Sequence, residues 1–226
     1  MTKLISTALL LGSIATSSFA ASSESPLYYK FTMDSLEKQN NKDESISWSG
    51  NIWVGNELNK VFIYSEGEKP KGSSSESENQ LVFSRAIAPY WDVQLGVGYD
   101  KKPNVDKTWG VVALKGMMPY FIETRAALLA GGGVAGLRFE VEYKALLTQK
   151  LALTPSFSTA IYSKDIPDME LGKGISSTNI GLRLSYEIRR EFAPYIGVEW
   201  KKNYGNTDTF SPLDEAYVLA GFKFWF

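Results

Sequence analysis

The stretch IGLRLSYEIRREFAPYIGVEW, Ile180 to Trp200, contains two alternating segments and the tight connection between them. In the first, Ile180, Leu182, Leu184, Tyr186 and Ile188 fall on one face and Gly181, Arg183, Ser185, Glu187 and Arg189 on the other. Successive strand side chains point to opposite faces, so a period of two reads as a strand that is apolar on one side and polar on the other. In the second, Ile196, Val198 and Trp200 oppose Tyr195, Gly197, Glu199 and Lys201. The pair reads as a β-hairpin turning through Arg190–Phe192. Its Arg and Glu face is either a catalytic cluster or the wall of a water-filled interior, and the rest of the chain decides which.

Toward the C-terminus the chain ends YVLAGFKFWF, with Val218, Ala220, Phe222, Phe224 and Phe226 on one face. In a soluble sandwich this would be an exposed apolar edge, which natural sheets avoid. In an exported protein it fits the last strand of an outer-membrane β-barrel, with Phe226 as part of the signal met by the barrel assembly machinery. Working back through the chain, the alternating segments are Leu27–Leu36, Ser45–Gly55, Lys60–Glu68, Asn79–Ile87, Tyr90–Asp100, Lys107–Gly116, Pro119–Ala130, Gly136–Leu147, Lys150–Ser163, Ser176–Arg189, Ala193–Tyr204 and Glu215–Phe226. Most are close to the ~9 to 11 residues a tilted strand needs to cross the hydrocarbon layer. The expected fold is therefore all-β, a closed antiparallel transmembrane barrel of about twelve strands.

The connections sort into two kinds. Gln39–Glu44, Lys69–Glu78, Lys101–Asp106, Lys164–Gly174 and Gly205–Asp214 are polar and mostly long, with Gly131–Ala135 a short glycine-rich exception. Asn56–Asn59, Ala88–Pro89, Met117–Met118, Thr148–Gln149 and Arg190–Phe192 are short. Bacterial barrels pair short periplasmic turns with longer external loops, which puts both termini on the periplasmic side. Ala88-Pro89-Tyr90-Trp91, Met118-Pro119-Tyr120-Phe121 and Ala193-Pro194-Tyr195-Ile196 repeat a Pro-Tyr pattern, read as proline at a strand start and tyrosine at the membrane interface. The recurrence is either reused turn chemistry or hairpin duplication.

Residues 1–20 read as a secretory signal peptide: Lys3, an apolar run to Ala15, and small residues Ser18 and Ala20 before the cleavage point. Residues 21–44 are then a short N-terminal segment with the first strand, and 45–226 the remainder of the barrel. The sequence has no cysteine and no histidine, and its net charge of -1 gives no broad basic surface for nucleic acid. Six Trp, twelve Tyr and twelve Phe suit interfacial aromatic girdles.

With the apolar faces on outer-membrane lipid, the other faces line the lumen, and they carry Asp92, Gln94, Arg138, Glu140, Arg183, Glu187, Arg189 and Glu199. Lys30, Asp34, Glu66, Lys115, Glu123, Arg125, Glu142, Lys144 and Lys201 join them, in a nearly balanced set of signs. Such rows serve either as a conduction path or as a salt-bridged plug. Without histidine no Ser-His-Asp arrangement can be assembled, and the carboxylates sit beside Arg or Lys, so no enzymatic activity is expected. The run Gly131–Gly136 satisfies GxGxxG, but a strand follows it where a dinucleotide fold needs a helix.

The chain resembles the outer-membrane copper resistance protein B family. The pieces that carry the likeness are Trp53-Val54-Gly55, Ser65-Glu66-Gly67-Glu68, the runs Ser84–Pro89, Trp91–Gly96, Pro119–Phe121, Leu147–Leu151 and Gly181–Val198, and the closing Trp225-Phe226. The resemblance implies a barrel in the outer membrane of a Gram-negative bacterium that contributes to copper tolerance by binding copper or assisting its export, in contact with periplasmic copper-handling proteins. The family commonly carries a Met- and His-rich segment ahead of the barrel, whereas Ala21 to Trp48 here holds only Met33. Cu(I) prefers thioether and thiolate ligands, which leaves adjacent Met117 and Met118 as a weak candidate contact. The alternative is a structural or general porin-type barrel that has lost the family's copper-binding segment.

Overall fold

The computed structural model describes residues 26–103 and 105–226; the signal peptide expected at 1–20 lies outside them. Thirteen strands follow one another as β1 Tyr28–Gln39, β2 Ile46–Gly55, β3 Asn59–Lys69, β4 Glu76–Ala88, β5 Trp91–Lys102, β6 Val105–Met118, β7 Ile122–Gly131, β8 Val134–Tyr143, β9 Ala145–Leu146, β10 Leu151–Tyr162, β11 Gly174–Tyr186, β12 Phe192–Asn203 and β13 Asp214–Trp225. Each pairs antiparallel with its neighbour, β13 pairs with β1, and β9 prolongs β8, giving a closed barrel of 12 staves. Every alternating segment of the sequence is a stave. Closure matters because a barrel leaves no edge to seek another strand, and in lipid every backbone group must be paired within the protein.

The outward faces are apolar at mid-stave. Ile63, Val97, Leu128, Ile196 and Val218 are each more than half exposed, as side chains that meet acyl chains must be. The hairpin of β11 and β12 is in the expected register, with Ile180 opposite Trp200 and Leu182 opposite Val198.

Four details depart from the sequence reading. Strand β1 shifts register between Met33 and Leu36, so the inward face changes from even to odd positions: Asp34, at the bulge, lines the lumen, and Glu37 and Gln39 are buried after it. The stave Gly136–Leu147 is broken at Lys144; its pairing stops at Glu142↔Ser156 and resumes at Ala145↔Leu153, across from Pro155, which has no N–H to donate. The expected loop Lys101–Asp106 is largely strand, because Lys101 pairs with Asp106 and Lys102 with Val105. The Pro-Tyr repeat also divides. Tyr90 (φ 68°) and Tyr120 (φ 69°) sit in left-handed turns with exposed rings, whereas Tyr195 lies within β12 with its ring buried inside the barrel.

The longest connection, residues 163–173 between β10 and β11, folds back over the barrel end. It holds a 3-10 turn, Pro167–Met169, and an antiparallel bridge between Ile166 and Leu171. Beside it a short helix, α1 (Gly205–Phe210), fills the β12–β13 connection.

Candidate functional site

Between them, the inward faces of the described residues line a larger and a smaller cavity. The larger, of about 750 Å³, occupies the half nearer the short turns; the smaller, of about 390 Å³, lies under the long loops. Glu66, Glu140, Arg183 and Glu199 are in the walls of both, so they ring the zone where the two meet. Two polar networks flank that zone.

The first is built on Arg183 of β11. Its Nε donates to Glu37 Oε1 at 2.6 Å and its Nη2 to Glu199 Oε2 at 2.6 Å. Tyr195 Oη donates to Glu37 (2.8 Å), Tyr217 Oη to Glu199 (3.0 Å), and Lys201 Nζ to Glu68 on β3 (3.0 Å). The second lies across the lumen. Arg138 of β8 meets Asp100 on β5 at 2.7 Å and Glu78 on β4 at 2.6 Å, and Trp109 Nε1 donates to Asp100 at 2.7 Å. Arg125 donates to Gln80 and, at 3.4 Å, to Gln94, lies 4.8 Å from the centre of the Tyr64 ring, and faces Glu140 at 3.8 Å. A buried charge is tolerable only when paired and hydrogen-bonded, and these contacts supply that pairing.

Of the residues singled out in the sequence, Asp92 lines the larger cavity, where Ser84 Oγ donates to it at 3.1 Å. Gln94 is fully buried and donates to Tyr64 Oη at 3.0 Å. Arg138, Glu140, Arg183 and Glu199 belong to the networks above. Glu187 lies just past the end of β11, paired with Lys144 at 2.5 Å. Arg189 requires a correction: it sits exposed in the turn between β11 and β12, bridged to Phe192, because β11 ends at Tyr186 and the alternation stops there. Met117 and Met118 are successive residues of β6 opposite Glu123 and Ile122, so their side chains leave opposite faces and cannot close on one ion. Met117 alone lines the larger cavity.

Glu37, Glu68, Glu78 and Asp100 were missed in the sequence, the first because of the β1 bulge and the others because they sit at or beyond the expected strand ends. Also missed was an apolar inner wall: Phe62, Tyr64, Val82, Trp109, Val111, Ala113, Ala127, Leu129 and Tyr162 form one buried cluster. The unbroken apolar runs Gly110–Leu114 and Ala126–Ala130 were its signal, since a strand buried on both faces loses its alternation. The charges do not balance either. The larger cavity has seven carboxylates in its wall (Asp34, Glu66, Asp92, Glu123, Glu140, Glu142, Glu199) against four bases (Lys115, Arg125, Arg183, Lys223). Glu66 has no hydrogen-bond or ion-pair partner among the described residues, while most of its neighbours do.

The loop of residues 163–173 is tied at its root by Asp165, whose Oδ1 accepts from Lys173 N (2.6 Å) and Asn206 Nδ2 (3.1 Å). These donors hold its carboxyl below the ordinary carboxylate value. Thr207 of α1 accepts from Gly172 N at 2.7 Å.

The family model for the copper resistance protein B precursor matches residues 27–226. A copper resistance protein B of Escherichia coli is 38% identical over 210 residues, covering 90% of this chain and 71% of that protein. A copper resistance protein B homolog of Pseudomonas syringae pv. tomato is 34% identical over 203 residues, 87% of this chain and 69% of the relative. Among solved structures, the NanC porin superposes with a TM-score of 0.55 at 12% identity, covering 87% of this chain and 99% of the porin, a likeness of fold alone.

Proposed function

The chain belongs to the copper resistance protein B family, and from that premise we propose that it acts in the outer membrane of a Gram-negative bacterium as a cation-favouring passage that contributes to copper tolerance. The observation that carries this reading is the acidic excess in the wall of the larger cavity. Charge of one sign in a cleft with low-dielectric walls concentrates the opposite ion, and acidic rings are the usual lining of cation pathways. Copper enters as cargo and not as a resident ion. Among the described residues no group of three or more His, Cys, Asp or Glu converges on one point, and Met117 and Met118 face apart. Carboxylate oxygens are weak, exchangeable partners for copper, which suits transit better than storage. The short-turn end would face periplasmic copper-handling proteins, and Phe226 the assembly machinery.

One observation favours a second reading, a closed structural barrel: the Arg138 and Lys201 ion pairs run between staves that are not neighbours and fill part of the lumen. Planar-bilayer recording of the purified chain separates the two. A passage gives a reversal potential of cation sign in a salt gradient, and current when Cu(II) or Cu(I) is the permeant ion. An anion-selective current, or none, contradicts the proposal.

A further inference from the structure

The connection between β10 and β11 does more than join two staves. Its tip crosses the mouth: Glu170 Oε2 lies 3.5 Å from Lys102 Nζ at the end of β5, and the same ammonium is 3.5 Å from Glu76 on β4. Strand β4 is half-way round the barrel from β11 in the order of staves. Beneath this span Met169 is only 2% exposed and, with Leu171, forms part of the wall of the smaller cavity. Ile166 and Leu171 pack against the buried inner apolar cluster to which Trp109 and Tyr162 belong. Glu170 is held in the left-handed region (φ 54°), a conformation a non-glycine residue keeps only where its surroundings impose it.

We propose that residues 166–171 form a strap that closes the long-loop mouth of the lumen and opens by release of its tip. The fixed end is the root, where Gly172 lies so close to Thr207 that a Cβ would come within 2.4 Å of the Thr207 nitrogen. The free end rests on one partly exposed ion pair and three apolar side chains. The inference rests on reading the lumen as a passage, and specifies where that passage is gated.

Because the sequence has no cysteine, Met169→Cys puts a unique thiol beneath the strap. In the folded, detergent-solubilised chain we expect it to react with a maleimide about tenfold more slowly than Ser74→Cys in the exposed β3–β4 loop, in proportion to the population of the open form. Adding Lys102→Gln should raise that rate by about threefold, the size expected from losing a partly exposed ion pair. Replacing residues 166–171 by glycine and serine should raise single-channel conductance, with heat-modifiability on a gel as the check of folding and Met169→Ala as the substitute should the replacement misfold. Labelling as fast as at Ser74→Cys, indifference to Lys102→Gln, or equal conductance with and without the strap, zero in both included, would overturn the gate. The two labelling measurements need neither conduction nor copper, so failure of the strap is separable from failure of the passage, which gives zero conductance in both forms.

Discussion

Arg183 and Glu66 show the two ways a charge is used inside this barrel. Arg183 is bound on two sides by Glu37 and Glu199, and Glu37 is 2% exposed. Removing one partner of a buried pair leaves the other uncompensated, so Arg183→Ala should lower unfolding stability by about 3 kcal/mol, read from denaturant titration in lipid. Arg183→Lys should recover only part of it, because an ammonium cannot reproduce the guanidinium fork. Glu66 has no such partner and stands in the walls of both cavities. Glu66→Gln should leave stability nearly unchanged and reduce cation preference in the reversal potential; an unchanged potential with a lost fold would reverse the two roles. Arg183, Glu199 and Glu140 could be read from alternation alone. Glu37 could not, because a single bulged position in β1 inverts the face of everything after it, and nothing in YYKFTMDSLEKQ marks that position.

The staves were the most legible elements, since lipid outside and water inside impose a strict period of two. That logic makes a prediction at Ile63, which is 52% exposed near the middle of β3: Ile63→Lys should destabilise the barrel by about 2 to 4 kcal/mol, whereas Lys at a rim position should cost far less. Legibility failed where the period is broken by a second requirement. Strand β6 is apolar on both faces because its inner face packs on the neighbouring inner walls and on the strap, and the stave ending at Leu147 is interrupted because Pro155 cannot donate to it. The strap was legible only as a long polar loop, since its cross-mouth contacts join residues distant in sequence. Its root has a pH limit of known sign. The carboxyl of Asp165 is held below its ordinary value of 3.8 by Lys173 N–H, by Asn206 and by the Lys173 charge, so its contribution is complete above that value and disappears as pH falls through the lowered one. Labelling of Met169→Cys by a thiol reagent active in acid should accelerate in that acidic window and not between pH 5 and 7, and Asp165→Asn should diminish the acid response, leaving the part that comes from loss of the Glu170–Lys102 pair.

At the scale of the whole molecule, the barrel resembles the NanC porin in outline, yet at 12% identity nothing about the lumen is carried by that likeness. What distinguishes this molecule is the filling of its interior: an apolar wall on one side, two ion-pair networks, and a surplus of carboxylates facing the remaining water. That surplus is hidden in the sequence, where the counts of Lys plus Arg and Asp plus Glu are 24 and 25, because it lies in which residues face the larger cavity and not in the composition of the chain. The most direct test of the acidic-lumen account is a copper dose series on a strain deleted for this protein and complemented with the wild-type chain or with Glu66→Gln/Glu140→Gln at equal outer-membrane levels. The account predicts that deletion raises copper sensitivity, that the wild-type chain restores tolerance, and that the neutralised lumen restores markedly less. Tolerance untouched by deletion, or restored in full by the neutralised lumen, would contradict it.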